Sequence, residues 1–440
     1  MVDGTAALIA TAIFIIIFLL ISFQVLHETA AALMGAVVVF LITYIGGTYH
    51  PNLKILPFEE AMRIVDWNVI FLIMGMMIFM AILGETNIFK WLAFRLYQGA
   101  KGNAWVIAVS LILLTGFTSA FLNDVTAILL IVPLSIQIAA AIGLDPLAIV
   151  IPEVLASNIG GAATLIGDPP STIVGSHIGI GFGAYMANMA PVAILCMFAL
   201  LLLNWYQYRK NYADAKHKAS EVLTEQLASE AKIHDKDTLI KALLVALFTF
   251  VGFFVADKFN QMPPGVVALS GAVILIVLVR PDMHHMLHEV DWTTLLFFIG
   301  LFIVVGGMEA TGAIDWFASH IIKFAGKSLD LAAVLITWVS GIASGIVANI
   351  PFTVAALPVA DYLTANIPGG SGSKIIYWAL ILGADFGGNA TYLGSAPNIV
   401  AIGLLAQAGI RVTFARFARD GIPVTLVTLV IATIWLLLRY

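Results

Sequence analysis

Charge is scarce in this chain. Asp, Glu, Lys and Arg make up 11% of its 440 residues and 61% are hydrophobic, against about 25% and roughly 45–50% in soluble domains. That excludes a soluble globular protein. Its apolar runs last about 20 residues, the length that crosses a ~30 Å hydrocarbon core as a helix, whereas barrel strands alternate over about 10. Cysteine is nearly absent: Cys196 stands alone inside an apolar run, which excludes an internal disulfide and a multi-thiolate metal site. The N-terminus, MVDGTAALIATAIFIIIFLL, lacks a basic n-region and carries Asp3, so it reads as a retained first helix. Enzyme signatures are missing too. There is no H-E-x-x-H helix and no G-x-S-x-G elbow. The stretch from Phe324 to Ser328 ends like a phosphate loop but has Ile321 where that loop needs glycine. Neither an enzyme nor a resident cofactor or metal is expected, and the net charge of −5 identifies no partner.

What is present is an all-α polytopic membrane pattern. Hydropathy predicts spans near 5–23, 28–47, 66–84, 187–208, 239–256, 263–280, 292–311 and 421–438. Four interrupted apolar regions lie at 104–142, 146–176, 329–366 and 374–405, and the one long polar linker runs from Arg209 to Asp237. The parts on either side of it resemble each other. DWNVIFLIMGMMIF at Asp66 matches DWTTLLFFIGLFIV at Asp291, an offset that Trp91 and Trp316, and Pro133 and Pro358, also keep. SNIGGAATLIGDPPS from Ser157 has its partner in DFGGNATYLGSAPN from Asp385, both reading GG-x-x-T-x-x-G-x-x-P.

A hairpin over 104–142, broken at Asn123-Asp124, and a single broken crossing over 146–176 give each half five crossings and one re-entrant hairpin. An odd count inverts the second half. The expected organisation is a first inverted repeat over 1–208, a cytoplasmic linker over 209–238 and a second inverted repeat over 239–440. With the linker inside, thirteen basic residues fall inside, among them Arg209, Lys210, Lys216, Lys218, Lys232 and Lys236. Seven fall outside: Lys54, Arg63, Lys258, Lys323, Lys327, Lys374 and Arg439. The positive-inside rule then places the N-terminus outside a cell membrane.

Broken helices free backbone groups that lipid cannot satisfy, so they must line a polar cavity or pack inside protein. Matching breaks in two inverted halves point to a midplane binding site of a transporter. The candidate residues are Asn123, Asp124 and Thr126 in the first hairpin, and Ser157, Asn158, Gly160, Gly161, Thr164 and Asp168 in the first broken helix. Their counterparts are Asn349, Pro351 and Thr353 in the second hairpin, and Asp385, Gly387, Gly388, Asn389, Thr391, Ser395 and Asn398 in the second broken helix. By the repeat, Asp124 aligns with Asn349 and Asn158 with Asp385, so each half supplies one acid and one amide. That asymmetry suits a site holding one or two exchangeable protons or cations.

Carboxylates in a membrane interior are costly and functional by default. For Asp124 the competing reading is a helix cap, and for Asp168 a turn former before Pro169-Pro170. Glu153 is a further proton-site candidate, paired with a basic residue if it lies toward the cytoplasmic end. Asp66-Trp67 and Asp291-Trp292 read as interfacial helix starts. His284, His285 and His288 read as a solvated loop cluster.

AFLNDVTAILLIVP, EVLASNIGGAATLIGDPPSTIVGS, NIPFTVAALPV and DFGGNATYLGSAPNIVAIG resemble signature regions of the ion transporter superfamily. The likeness is to its branch of arsenite and antimonite permeases (ArsB), NhaD antiporters and the melanosomal P protein, and it covers Asp66 to Arg419. The P protein branch reads Asp-Asn where this chain reads Asn123-Asp124. The resemblance implies two re-entrant hairpins, a mobile substrate domain and a homodimer. It leaves a cytoplasmic ATPase subunit open as a partner, beside membrane lipid, and gives no reason to expect nucleic acid. It implies proton-coupled export of arsenite and antimonite, with a Na⁺/H⁺ antiporter, a sodium-coupled dicarboxylate or citrate carrier and, more distantly, an ion channel as alternatives. An acid at Asp385 would repel a dianion, whereas arsenite is an uncharged trihydroxide that amide, hydroxyl and carboxyl groups can hold.

Overall fold

The computed structural model describes residues 4–23, 25–215, 221–256, 262–314 and 328–440. Trp316, Lys216, Lys218, Lys258, Lys323, Lys327 and the 324–327 part of the phosphate-loop-like stretch lie outside them. The described residues form helices joined by turns, without strands.

Among the described residues the main helices of the two halves recur in the same order. Crossing helices Gly4–Ser22 and Glu28–Leu41 open the first half, and Lys236–Ala256 and Pro264–Val279 the second. A short helix follows in each, Phe58–Ile64 and Met283–Glu289, then the long helices Trp67–Glu85 and Trp292–Ala310. The repeated Asp-Trp pair explains that corner. Asp66 Oδ1 accepts from the amides of Asn68 and Val69, and Asp291 Oδ1 from that of Thr294, filling orphan donors of a helix start. The indoles of Trp67 and Trp292 donate back to the carbonyls of Met62 (3.0 Å) and Leu287 (2.9 Å), fixing the angle at which the short helix arrives.

The long helices cross each other's half. A Cβ on Gly75 would fall 2.8 Å from the backbone of Ala268, and one on Gly300 2.8 Å from that of Ala32. Only glycine allows these backbones to touch, so each long helix packs on an early helix of the opposite repeat and the halves interlock.

The interrupted regions fold as expected. The first hairpin is Ala104–Phe121 with Asp124–Ala141 and the second Leu329–Ser344 with Asn349–Asn366. The first broken helix is Leu147–Gly161 with Pro169–His177, and the second Ile375–Gly387 with Ala396–Gln407. Glycine again sets the fit: Cβ atoms on Gly160 and Gly387 would lie 2.0 Å from the Gly116 carbonyl oxygen and 2.3 Å from that of Gly341. Each half closes with a long helix, Phe182–Asp214 or Phe414–Arg439.

Two features differ from expectation. The helix predicted to end near 208 continues to Asp214, its extension held by Tyr212, whose hydroxyl donates to the Ala148 carbonyl at 2.7 Å and accepts from Asn204 Nδ2 at 2.9 Å. The linker is also not simply a polar tether. Its helix Glu221–Glu230 packs on the first half, with Asn87 Nδ2 donating to the carbonyls of Glu230 (2.7 Å) and Lys232 (2.8 Å) and the His234 amide to Thr86.

Candidate functional site

Each hairpin is bracketed to its broken helix by the same pair of hydroxyls. Ser119 Oγ donates to the Ser157 carbonyl at 2.7 Å and Ser344 Oγ to that of Ala384 at 2.6 Å. Thr164 Oγ1 donates to the Ala120 carbonyl, and Thr391 Oγ1 to that of Gly345 at 2.7 Å. Thr164, Thr391, Gly160, Gly161, Gly387 and Gly388 thus act as a frame: the glycines permit the approach and the threonines satisfy carbonyls freed at the breaks.

Inside this frame the two repeats differ. Asn158 is fully buried at the centre of a neutral knot: its Nδ2 donates to Asn389 Oδ1 at 2.7 Å and Asn398 Oδ1 at 3.1 Å, and its Oδ1 accepts from Ser395 Oγ at 2.9 Å. Asn398 Nδ2 in turn serves the carbonyls of Gly388 and Thr391, and Asn389 Nδ2 that of Leu155. Across the pseudo-twofold, Asp385 stands where Asn158 does, Asp168 where Ser395 does, and Ser171 where Asn398 does. Ser171 Oγ donates to Asp385 Oδ2 at 3.2 Å and Asn349 Nδ2 to Asp168 Oδ2 at 3.4 Å. Ser171 stands three residues after Asp168 at the start of the same half-helix, so its bond to Asp385 brings the two acids together there, and Asp124 lines the same crevice as Asp168. Oδ1 of Asp168 and Oδ1 of Asp385 are buried without a donor. Among the described residues none of the three acids makes a salt bridge.

The competing readings resolve by geometry. Asn123 is the N-cap of the second arm of the first hairpin, its Oδ1 accepting from the amides of Val125 and Thr126, and Asp124 shares in that role through one oxygen, its Oδ1 accepting from the Val125 amide at 2.8 Å. Asp168 makes no side-chain cap to the half-helix that it precedes. Glu153 has no basic partner: it is fully buried inside the first repeat, where Ser135 Oγ donates to Oε1 at 2.6 Å and Oε2 is unserved. The pairing with a basic residue, conditional on a place at the cytoplasmic end, does not arise, because the carboxyl lies in the interior of the repeat and its partner there is Ser135. Thr353 only donates to the Asn349 carbonyl, Pro351 is buried beside it, and Thr126 is half-buried at the hairpin's edge.

A cavity of ≈380 Å³ reaches the site from the end of the long helix that carries Glu85, and Asn123, Thr126, His285, Glu289 and Asp291 line it. A crevice of ≈30 Å³ continues inward past Glu28 and Asp291 to Asp124, Asp168, Asn349 and Ser395. This face also carries the docked linker, beside Thr86 and Asn87. At the opposite end Asp66, Asn68, Ser176 and His177 line a cavity of ≈660 Å³ to which none of the three acids contributes, and side-chain ties separate it from them. Ser176 Oγ donates to Asp66 Oδ2 at 2.6 Å and accepts from Asn68 Nδ2 at 2.8 Å, while His177 Nε2 meets Asp361 Oδ1 at 2.8 Å.

Comparison with known proteins places this arrangement. Residues 18–383 match the model of a family described as citrate transporter. The chain belongs to that family. An uncharacterized transporter of Mycobacterium tuberculosis is 36% identical over 434 residues, covering 99% of both chains, and a 46 kDa membrane protein of Mycobacterium leprae 35% over the same length. The human P protein is 30% identical over 522 residues, covering 99% of this chain and 60% of its own length. The crystal structure of the Alcanivorax borkumensis YdaH transporter superposes with a TM-score of 0.63 at 13% identity, covering 93% of this chain and 98% of that one, and shares the fold. This family member is therefore a multi-pass membrane transporter.

Sequence reasoning overlooked two site residues. Ser171 carried a signal, since it aligns with Asn398 in the repeat. Tyr185 carried a weaker one: the closing helices begin at Phe182 and Phe414 and carry Pro191 and Pro423 in the same register, which aligns Tyr185 with the buried Phe417, an aromatic without the hydroxyl; Tyr185 is fully buried beside the acids with that hydroxyl unpartnered.

Proposed function

We propose that the protein is a secondary active transporter working by alternating access, exporting arsenite and antimonite in exchange for protons. The observation that carries this reading is the group of Asp124, Asp168 and Asp385, buried together with no basic partner among the described residues and reached past Glu28, Glu85, Glu289 and Asp291. Such a field repels free organic anions, which argues against a citrate ion despite the family description, and it needs protons or cations as compensation. The adjacent neutral knot around Asn158 offers amide and hydroxyl groups suited to a small uncharged polyol-like solute. With the linker cytoplasmic and the N-terminus outside, as the positive-inside rule supports, the cavity that reaches the acids faces inward.

Sodium/proton antiport is the second reading, favoured by the two unserved carboxylate oxygens, which are hard ligands of the kind Na⁺ takes. Everted vesicles with an imposed pH gradient separate the two. Arsenite is expected to accumulate without Na⁺, and citrate not to. Absence of arsenite movement together with Na⁺-dependent collapse of the gradient overturns the proposal in favour of the antiporter.

A further inference from the structure

Resting on the proton-coupled reading above, the geometry points to one proton held jointly by Asp168 and Asp385, tying the two broken helices together in the state seen here. Each carboxyl has one oxygen served by a neutral donor, from Asn349 or Ser171, and one buried oxygen with no donor. An ionised carboxylate accepts only, whereas a protonated one carries a single O–H. With both ionised, two charges would stand side by side in a dry interior and neither free oxygen would have a partner. One proton placed between the facing groups supplies the missing donor and removes one charge, and the pair then titrates as a unit.

The other repeat provides the internal control. At the symmetry-related place Ser395 donates its hydroxyl to Asn158 Oδ1 at 2.9 Å. There the donor is built into the side chain and cannot leave. In the acidic pair the equivalent donor is exchangeable, so the two sites differ in whether the tie between the broken helices can be undone.

The groups facing the pair come from every neighbouring element. Asp124 belongs to the first hairpin, Asn349 to the second, Ser171 to the first broken helix and Tyr185 to helix Phe182–Asp214. Glu28 and Asp291 stand across the crevice that Asp168 lines. When the proton leaves to water through that crevice, the pair gains one negative charge and loses its hydrogen bond. The broken helices then repel at their centre. A proton returning from the opposite face restores the contact.

Infrared difference spectroscopy on the full chain in liposomes at neutral pH tests this without reference to any substrate. The wild type is expected to show a deuterium-sensitive carboxylic-acid C=O band, lost entirely in Asp168→Asn and in Asp385→Asn. Because either single change could impair folding, the double variant Asp168→Ser with Asp385→Asn copies the Ser395–Asn158 pair. It should melt within reach of the wild type, lack the band and carry no protons. With Glu153→Gln in every sample, so that this other buried carboxyl adds no band, a band that persists in the double variant, or one removed by Asp124→Asn and not by changes to the pair, overturns the inference. A wild type with the pair's band but no arsenite transport would leave the shared proton standing and remove only the proposed cargo. Proton-driven arsenite transport with no band would do the reverse.

Discussion

Placing a methyl group on Gly160 tests whether the bracket between hairpin and broken helix is as tight as the geometry requires. The added Cβ would fall 2.0 Å from the Gly116 carbonyl oxygen, 2.7 Å from its carbon and 2.9 Å from its Cα. These are backbone atoms that cannot rotate away, so the hairpin must retreat by on the order of 1 Å in an interior packed like a crystal. That retreat opens the Ser119–Ser157 hydrogen bond of 2.7 Å and the Thr164–Ala120 bond beside it. Overpacking costs about 1–3 kcal/mol, two lost buried hydrogen bonds about 1 kcal/mol each, and better helix propensity returns about 1 kcal/mol, leaving a net loss of about 2–4 kcal/mol. Gly387→Ala, which meets Gly341 at 2.3 Å, should cost a similar amount. Gly403→Ala, with nothing within 4 Å, should be neutral or slightly stabilising. A membrane chain of this size does not melt in two states, so the order of apparent midpoints in detergent, together with transport, is the readout. If Gly160→Ala melts with the wild type and transports normally, the close-packed bracket is not what holds the site.

Other perturbations probe separate parts of the structure. Asn158→Asp replaces the donor to Asn389 and Asn398 with an acceptor facing acceptors, at about 1–3 kcal/mol for each unserved group. It should lower the midpoint more than Asp385→Asn does, and the opposite order would refute the neutral knot. Asn87→Ala removes both side-chain bonds that hold the linker and replaces a residue at φ 66°. Limited proteolysis of the linker should accelerate several-fold, and an unchanged rate argues against docking. Ser176→Ala removes the hydroxyl joining Asp66 and Asn68. In a Cys196→Ala background, Thr172→Cys should then label faster with an impermeant thiol reagent, and equal labelling would show that Ser176 does not keep that face closed.

Much of this was legible because repetition turns a weak signal into a strong one. The Asp-Trp corners, the Gly-Gly pairs and the Thr-Gly-Pro spacing recur at a constant register, and each recurs because the same backbone contact must be made twice. The frame of the site could therefore be read as pattern. What could not be read was anything made once. The hydroxyl of Tyr185 has no counterpart, since its repeat position is Phe417, and Glu153 meets Ser135 only through the packing of hairpin on broken helix. The linker helix looked like solvated charge because its docking depends on Asn87 in a left-handed turn and on two carbonyls, which leave no trace in hydropathy. Whether an acid paired with amide, base or acid was likewise a matter of three-dimensional neighbours.

The departures from symmetry fall where a carrier would need them. At the brackets a difference between repeats would only weaken packing, and there the halves match hydroxyl for hydroxyl. At the centre, Asn158 with Ser395 faces Asp385 with Asp168, so one site keeps its hydrogen bonds in every protonation state while the other changes charge. At the periphery, Ser176 ties Asp66 and Asn68, whereas its counterpart is Gly403, and Asp291 binds the hydroxyls of Thr293 and Thr294 instead. Two perfectly equivalent halves would make the two access states equal in energy. A tie of about 1–2 kcal/mol present on one face alone biases the resting state toward the linker-side opening by roughly 5–30-fold. A bias of that size is small enough for one proton leaving the Asp168–Asp385 pair to reverse. That is why the outer tie and the central acids have to be weighed together.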